Sequence, residues 1–332
     1  MMTVTVIVVN WNSGALLGDC LRHLERQTVQ PARVLVVDNA SSDDSATSAE
    51  AFANVTVHRM KGNFGFAAGN NRGLAECATE FVALLNPDAF PEPDWLECLL
   101  AAASAYPDVA AFGSRQLCQG NSEVLDGIGD SYHISGLVWR ERHGARQQAE
   151  DLAPQEIFSP CAAAALYRRQ ALVDVGGFDE DFFCYVEDVD LGFRLRLAGH
   201  KAMYVPDAVV HHVGSATTGG QHSDFPVYHG HRNLVWTFVK NMPGALFWLL
   251  LPLHLVLNLV SVVWLSLRGQ GGVILRAKWD AIKGLPRMWA KRKKIQAARV
   301  ASVRDIWRVL DKRMIPGRHD RQARWKPRWL MR

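Results

Sequence analysis

Six cysteines are scattered through this 332-residue chain, and no two form a Cys-x-x-Cys pair. That pattern predicts reduced, mostly buried thiols in a cytosolic compartment. A leader is not expected either. Met1 and Met2 run through Thr3 straight into Val4-Thr-Val-Ile-Val-Val9, without a basic region or a small-residue cleavage site. The start is therefore expected to be a first strand and not a signal peptide. Each part of the chain is poor in charge of one sign. From Arg268 onward lie 20 of the 37 Lys/Arg but only 4 of the 33 Asp/Glu, so an acidic body carries a basic tail and the net charge of +4 describes neither. Such a body is unsuited to nucleic acid. Asp, Glu, Lys and Arg are all absent between Ala245 and Leu267. What is present, 48% apolar residues, is enough for a large globular domain with an appendage. The expected division is 1–240 and 241–332.

The body reads as βα units. Val4 to Val9 is a strand, Asn10-Trp-Asn-Ser-Gly14 a loop, and Leu16, Leu17, Leu21 and Leu24 mark a helix. Arg33 to Val37 is a second strand, tipped by Asp38. An acid at that place in a βα unit is suited to accept hydrogen bonds from a ribose or a base, while Ser41 to Asp44 suit helix capping. After the strand Val55-Thr-Val-His58 comes Gly62-Asn-Phe-Gly-Phe-Ala-Ala-Gly-Asn-Asn-Arg-Gly73. Its four glycines are expected to let backbone approach a ligand, with Arg72 meeting a diphosphate before a helix from Gly73 to Ala78. Phe81-Val-Ala-Leu-Leu is a run buried on both faces, and it ends in Asn86-Pro-Asp88. Asn86 and Asp88 share a face in extended backbone, where their oxygens suit a hard divalent cation. The same tripeptide also suits a plain turn before the helix from Trp95 to Ala105.

Pro107 to Leu117 is another strand, and Gly120 to Pro154 is a long, poorly periodic excursion over the site. Small side chains fill the strand Ser159 to Tyr167, and a short helix from Arg168 to Val175 ends at Gly176 and Gly177. Glu187, Asp188 and Asp190 open a helix that stops at Gly199. They serve its dipole, yet they also follow the aromatic run Phe182-Phe-Cys-Tyr185, which suits a carbohydrate wall beside a general base. His211-His212 ends a later strand region, where a neutral imidazole is either structural or a metal ligand.

In this order, Val-Val-Asn-Trp-Asn12, Val-Val-Asp-Asn39, the Gly62 to Asn71 stretch, Leu-Asn-Pro-Asp88, Gly-Gly-Phe-Asp179, Glu187-Asp-Val-Asp190 and His211-x-x-Gly214 resemble family 2 glycosyltransferases of the GT-A fold. The closest likeness is to the bacterial rhamnosyltransferase-like branch, over roughly residues 3 to 217. The resemblance implies an α/β fold with a Rossmann-like mixed sheet flanked by helices. It implies an inverting transferase using a nucleotide-diphospho-sugar, dTDP-L-rhamnose first, with UDP-galactofuranose or a UDP-hexose as rival donors, and Mg2+ or Mn2+. A non-catalytic sugar-nucleotide-binding partner of an envelope assembly complex is the reading from another class. Asp188 matches the catalytic base, with Glu187 and Asp190 beside it. Asn10, Asn12, Asp38, Asn39, Gly65, Asn70, Arg72 and Asn86 are the expected donor contacts. Asp88 and His211 are the expected metal ligands, with His212 left open as the alternative to His211. Asn86 stands where many members have the first Asp of an Asp-x-Asp motif.

At helical rise the 23 residues from Ala245 to Leu267 would span a bilayer core. One crossing would put the basic tail outside, against the positive-inside tendency. Pro252, His254 and Asn258 favour a kinked or re-entrant segment, and Trp279, Ile282, Leu285 and Trp289 continue an apolar face amid Lys/Arg. The expectation is a peripheral or monotopic protein on the cytoplasmic face of the bacterial inner membrane, bound to anionic lipid, with a polyprenyl-linked glycan as acceptor.

Overall fold

A computed structural model describes residues 2–214 and 223–313. The last 19 residues of the basic tail lie outside them. Continuous apolar runs become the inner strands of one sheet. In chain order these are β1 (Val4–Asn10), β2 (Arg33–Asp38), β3 (Val55–Arg59), β4 (Phe81–Leu85) and β5 (Ala89–Pro91). There follow β6 (Val109–Cys118), β7 (Asn121–Gly127), β8 (Asp130–Tyr132), β9 (Val138–Arg140), β10 (Gln155–Glu156), β11 (Ala164–Arg168) and β12 (Lys201–His212). The sheet order is β10-β12-β6-β11-β4-β1-β2-β3, with β5 added to β12 and β7 to β6, while β8 and β9 form a separate hairpin. β1 is parallel to β2 and β4, and β11 runs antiparallel between β4 and β6. The result is a mixed sheet, as expected.

Helices cover both faces because side chains alternate along a strand. Val4, Val6 and Val8 pack with α1 (Ala15–Glu25) and α4 (Trp95–Ala105). Ile7 and Val9 face the other layer, with α3 (Gly65–Ala75) and α6 (Glu187–Leu197). The short α2 (Ser45–Ala49) and α5 (Arg169–Asp174) complete the two layers.

The glycine-rich stretch departs from expectation. Residues from Gly65 onward are helix, so the helix begins eight residues before the predicted start. Its glycines serve packing: a Cβ on Gly69 would lie 2.7 Å from Val9 Cγ1, and one on Gly73 2.7 Å from Ile7 Cγ2. Absent side chains let α3 settle onto β1, and of the helix's glycines only Gly65, at φ +87°, lines the cleft described below.

The C-terminal part is helical: α7 (Asp224–Asn241), α8 (Gly244–Leu265), α9 (Gly271–Ala297) and α10 (Val303–Val309). α8 is continuous through Pro252, and the chain turns instead at Gly269, φ 86°. α9 then returns along α7, where Trp236 Nε1 donates to Ala281 O at 3.0 Å and Lys278 Nζ to His231 O at 2.8 Å. Midway along α8, His254 Nδ1 lies 2.8 Å from Ser135 O and its ring stacks on Phe238 at 4.0 Å. The rest of α8 and α9 leaves large apolar side chains bare, with Leu249 69% and Leu259 65% exposed.

Candidate active site

Strand tips, the excursion and the start of α6 enclose a cleft of about 880 Å³. β1 brings Val9 and Trp11 to it, β2 Asn39, β4 Asn86 and Asp88, and β12 His212. α6 contributes Glu187 and Asp188, and the excursion Asp126, Asp130, Trp139, Arg140 and His143. Asp88 and Asp188 thus open on one space, whereas Asp38 does not line it.

Register decides which histidine joins them. In the pairing of β12 with β5, His212 lies opposite Ala89 and His211 opposite Phe90, and Val213 N donates to Asp88 O at 3.0 Å. Neighbouring strand residues point to opposite faces, so only one histidine faces Asp88. It is His212, whose Nε2 is 3.3 Å from Asp88 Oδ1. His211, the expected ligand, turns away and meets Glu92 Oε1 at 2.8 Å. Burial alone would raise the Asp88 carboxyl, but the adjacent His212 outweighs it and holds the acid below its ordinary range. Burial likewise disfavours a charged His212, yet Asp88 and Asp126 on either side push it up to about 9.

The residues here fit a divalent cation. Asn86 Oδ1 and His212 Nε2 are buried and lack a hydrogen-bond partner, the latter close enough to Asp88 for an ion pair but misaligned for a hydrogen bond. A buried amide oxygen without a donor is costly unless something satisfies it, and His212 Nε2 becomes an acceptor once its proton leaves. A carboxylate, an amide oxygen and an imidazole nitrogen are ligands that Mn2+ and related ions accept.

In the same cleft, Asp188 Oδ2 accepts from Ala162 N at 3.2 Å and Oδ1 from its neighbour Val189 N at 2.8 Å. Burial raises its pKa, opposed by these donors and by Arg140. Glu187 is raised well above the usual range by burial and then by the charge of Asp188, and its Oε2 is buried without a partner. Asp130, Cys161 and Asp188 bring their ligand atoms within 4.8 Å of one another, which is a second place an ion could approach. Burial keeps the Cys161 thiol protonated and raises Asp130 well above its ordinary value, so these two groups offer a cation little negative charge.

Asp188 owes its position to a strained loop. Phe183, Tyr185 and Val186 have φ of 65°, 65° and 69°, a region that bulky residues seldom adopt. Asn233 on α7 holds it, its Nδ2 donating to the carbonyls of Phe182, Cys184 and Tyr185 at 3.0, 2.9 and 2.7 Å. Phe183 and Tyr185 line the cleft, while Phe182 belongs to the core. Gly177 explains part of the Gly-Gly-Phe-Asp179 motif: its φ is +64°, and Asn71 on α3 pairs with both backbone groups of Phe178.

Several expected contacts have other partners. Asp38 is 2% exposed, accepting from Asn10 Nδ2 at 2.8 Å and from Ser41, so it lies behind Asn39, which does face the cleft. Asn12 Oδ1 accepts from Ser42 N at 2.7 Å, knitting the β1 and β2 loops together. Asn70 Nδ2 donates to Phe66 O within its own helix. Arg72 is on the solvent side of α3, 3.0 Å from His58 Nε2 and 2.9 Å from Glu76, away from any diphosphate in the cleft. Helical periodicity turns it there once the helix starts at Gly65. Asp190 points from α6 into the interior, bound to Arg194 at 2.9 Å, Lys240 at 2.7 Å and Asn241 at 2.7 Å. The acids of the excursion carried no local sequence signal, because that stretch has neither period nor motif.

Comparison with known proteins follows the same lines. The family described as Glycosyl transferase family 2 matches residues 5–176. N-acetylglucosaminyl-diphospho-decaprenol L-rhamnosyltransferase of Mycobacterium tuberculosis is 31% identical over 253 residues, covering 68% of this chain and 80% of that protein. An O-antigen chain rhamnosyltransferase of Salmonella typhimurium is 27% identical over 217 residues, 64% of this chain and 66% of that one. Among solved structures, a mannosyltransferase from Pyrobaculum calidifontis in complex with GDP-Man and Mn2+ aligns with a TM-score of 0.52 at 20% identity, over 92% of this chain and 87% of that one. That last likeness is one of fold, a mixed α/β sheet of the GT-A kind.

Proposed function

The chain belongs to glycosyl transferase family 2 and is a glycosyltransferase, and from that premise we propose inverting transfer of a sugar from a nucleotide-diphospho-sugar to a hydroxyl of a lipid-linked glycan. L-rhamnose from dTDP-L-rhamnose is the first-choice donor, because two relatives are named for rhamnosyl transfer. The lipid-linked acceptor rests on the Mycobacterium relative, named for a diphospho-decaprenol acceptor. The observation that carries the reading is that Asp188 lines the same cleft as Asp88, Asn86 and His212.

Mg2+ or Mn2+ held by Asp88 and His212, with Asn86 beside them, would supply positive charge for the leaving diphosphate. Asn39, Gly65 and Trp11 line the cleft and would contact the nucleoside. Asp188 takes the proton of the acceptor hydroxyl as that oxygen bonds to the anomeric carbon from the face opposite the diphosphate. The carbon–oxygen bond to the diphosphate breaks with its electron pair, and the centre inverts. Raising the base's pKa by burial strengthens it for this step.

Membrane attachment is part of the proposal. α8 is about 33 Å long at 1.5 Å per residue, long enough to span. Its contact with Ser135 through His254 and the return of α9 along α7 favour a hairpin lying in the cytoplasmic leaflet over a crossing. Arg268, Arg276 and Lys283 near the exposed apolar residues suit anionic headgroups.

Asp188→Asn tests the chemistry. It should reduce transfer by at least 10³-fold while donor binding, read by thermal shift with a panel of nucleotide sugars and Mn2+, stays within a few-fold. Near-normal turnover would remove Asp188 from the role of base.

A further inference from the structure

We infer that Asp126 is a positioning residue for the cation site, fixing the His212 ring so that Nε2 is the atom offered beside Asp88. The inference rests on the proposed metal site and concerns a residue from the part of the chain least legible in sequence. Asp126 Oδ2 is 2.8 Å from His212 Nδ1, and both side chains are buried. A carboxylate accepts only, so the proton of that contact sits on Nδ1. A ring that loses its other proton to make room for a cation then has its lone pair on Nε2, the side facing Asp88. Without Asp126, the proton could occupy either nitrogen and the ring could turn.

Asp126 is itself immobilised. Arg140 Nη1 pairs with Oδ2, His143 Nδ1 lies 3.3 Å from Oδ1, and the same nitrogen lies 2.8 Å from the Asp126 carbonyl. Gly127 makes room for this arrangement: a Cβ there would fall 2.3 Å from Arg140 Cγ and Cδ. Arg140 at the end of β9 and His143 just after it thus hold this β7 carboxylate, which meets the last residue of β12. A carboxylate paired only with Arg140 would need no histidine contact, and a histidine paired only with Asp88 would need no second carboxylate. The line Arg140, Asp126, His212, Asp88 uses each group once.

Removing such a partner typically costs 10- to 100-fold in metal affinity. Mn2+ titration of the full chain, followed by electron paramagnetic resonance with no nucleotide present, reads this directly. Asp126→Asn should weaken Mn2+ binding by that factor and diminish the imidazole nitrogen coupling in pulsed spectra. Asp126→Glu, which restores the charge, should recover part of both. Circular dichroism confirms that the variants are folded; should the Asn variant not fold, the Glu variant must still show an altered nitrogen coupling. Wild-type affinity and coupling in a folded Asp126→Asn protein, alongside loss of binding in Asp88→Asn, would overturn the role of Asp126 and leave the metal site standing. Absence of Mn2+ binding by the unsubstituted chain would overturn both.

Discussion

Titrating the chelated protein from pH 6 to 8.5 should weaken it through His212. The ring's pKa stands at about 9 in the fold, against about 6.5 when exposed, because burial is outweighed by Asp88 and Asp126. A raised pKa means the folded state binds the proton more tightly than the unfolded chain. That stabilisation is complete below about pH 6.5 and is lost as the pH rises through 9. At about 1.4 kcal/mol per unit, the shift is worth about 3 kcal/mol in all, with most of it gone by pH 8.5. The ring is 5% exposed, so solvent screening removes little of this. Urea unfolding in EDTA, repeated for His212→Asn, isolates the effect as the difference between two pH slopes. Buried thiols such as Cys20 add a loss of the same sign, but chiefly above pH 8.5 and equally in both proteins. Parallel slopes for the two proteins between pH 6.5 and 8.5 would refute the claim that His212 is held charged between two carboxylates.

Two further outcomes follow from the helical part. Lys240 is 1% exposed and bound to both Asp179 and Asp190, so Lys240→Met leaves buried carboxylates undercompensated and should cost about 3 to 5 kcal/mol in urea unfolding. A loss under about 1 kcal/mol would show that Arg194 and Lys291 suffice. Leu249→Glu with Leu259→Glu should move the protein from the membrane pellet to the soluble fraction without changing its Mn2+ affinity; retention in the pellet would count against α8 as the contact.

The ion pairs explain why the helical part is tied to the chemistry. Lys291 on α9 reaches Asp179 and Asp181, and Arg287 reaches Asp181 at 2.8 Å, just ahead of the strained loop that presents Asp188. Asn233 on α7 holds that loop from the other side. A boundary at residue 240 is natural by composition, yet these contacts cross it.

Much of the sheet was legible along the chain, since short apolar runs such as Phe81 to Leu85, bounded by turn residues, suit strands covered on both faces, and polar residues at their ends mark the tips. Asp88 ends such a run, whereas Asp188 opens a helix after an aromatic stretch, and the roles expected of both rest on the family resemblance. Arg72 faces solvent because the glycine-rich stretch is helix from Gly65 on, with Gly69 and Gly73 letting it approach β1 closely.

The amino-acid order by itself determined which residues lie at the ends of the inner strands and at the start of α6, because hydrophobic period and turn chemistry act over a few neighbours. Only the tertiary structure decided that His212 and not His211 meets Asp88, that Asp190 points inward, and that Asp126 completes the cluster. A shift of one residue reverses the face a strand side chain occupies, and the pairing of Asp126 with His212 joins positions 86 apart. No local pattern records such a contact; it exists only when the sheet has set its register.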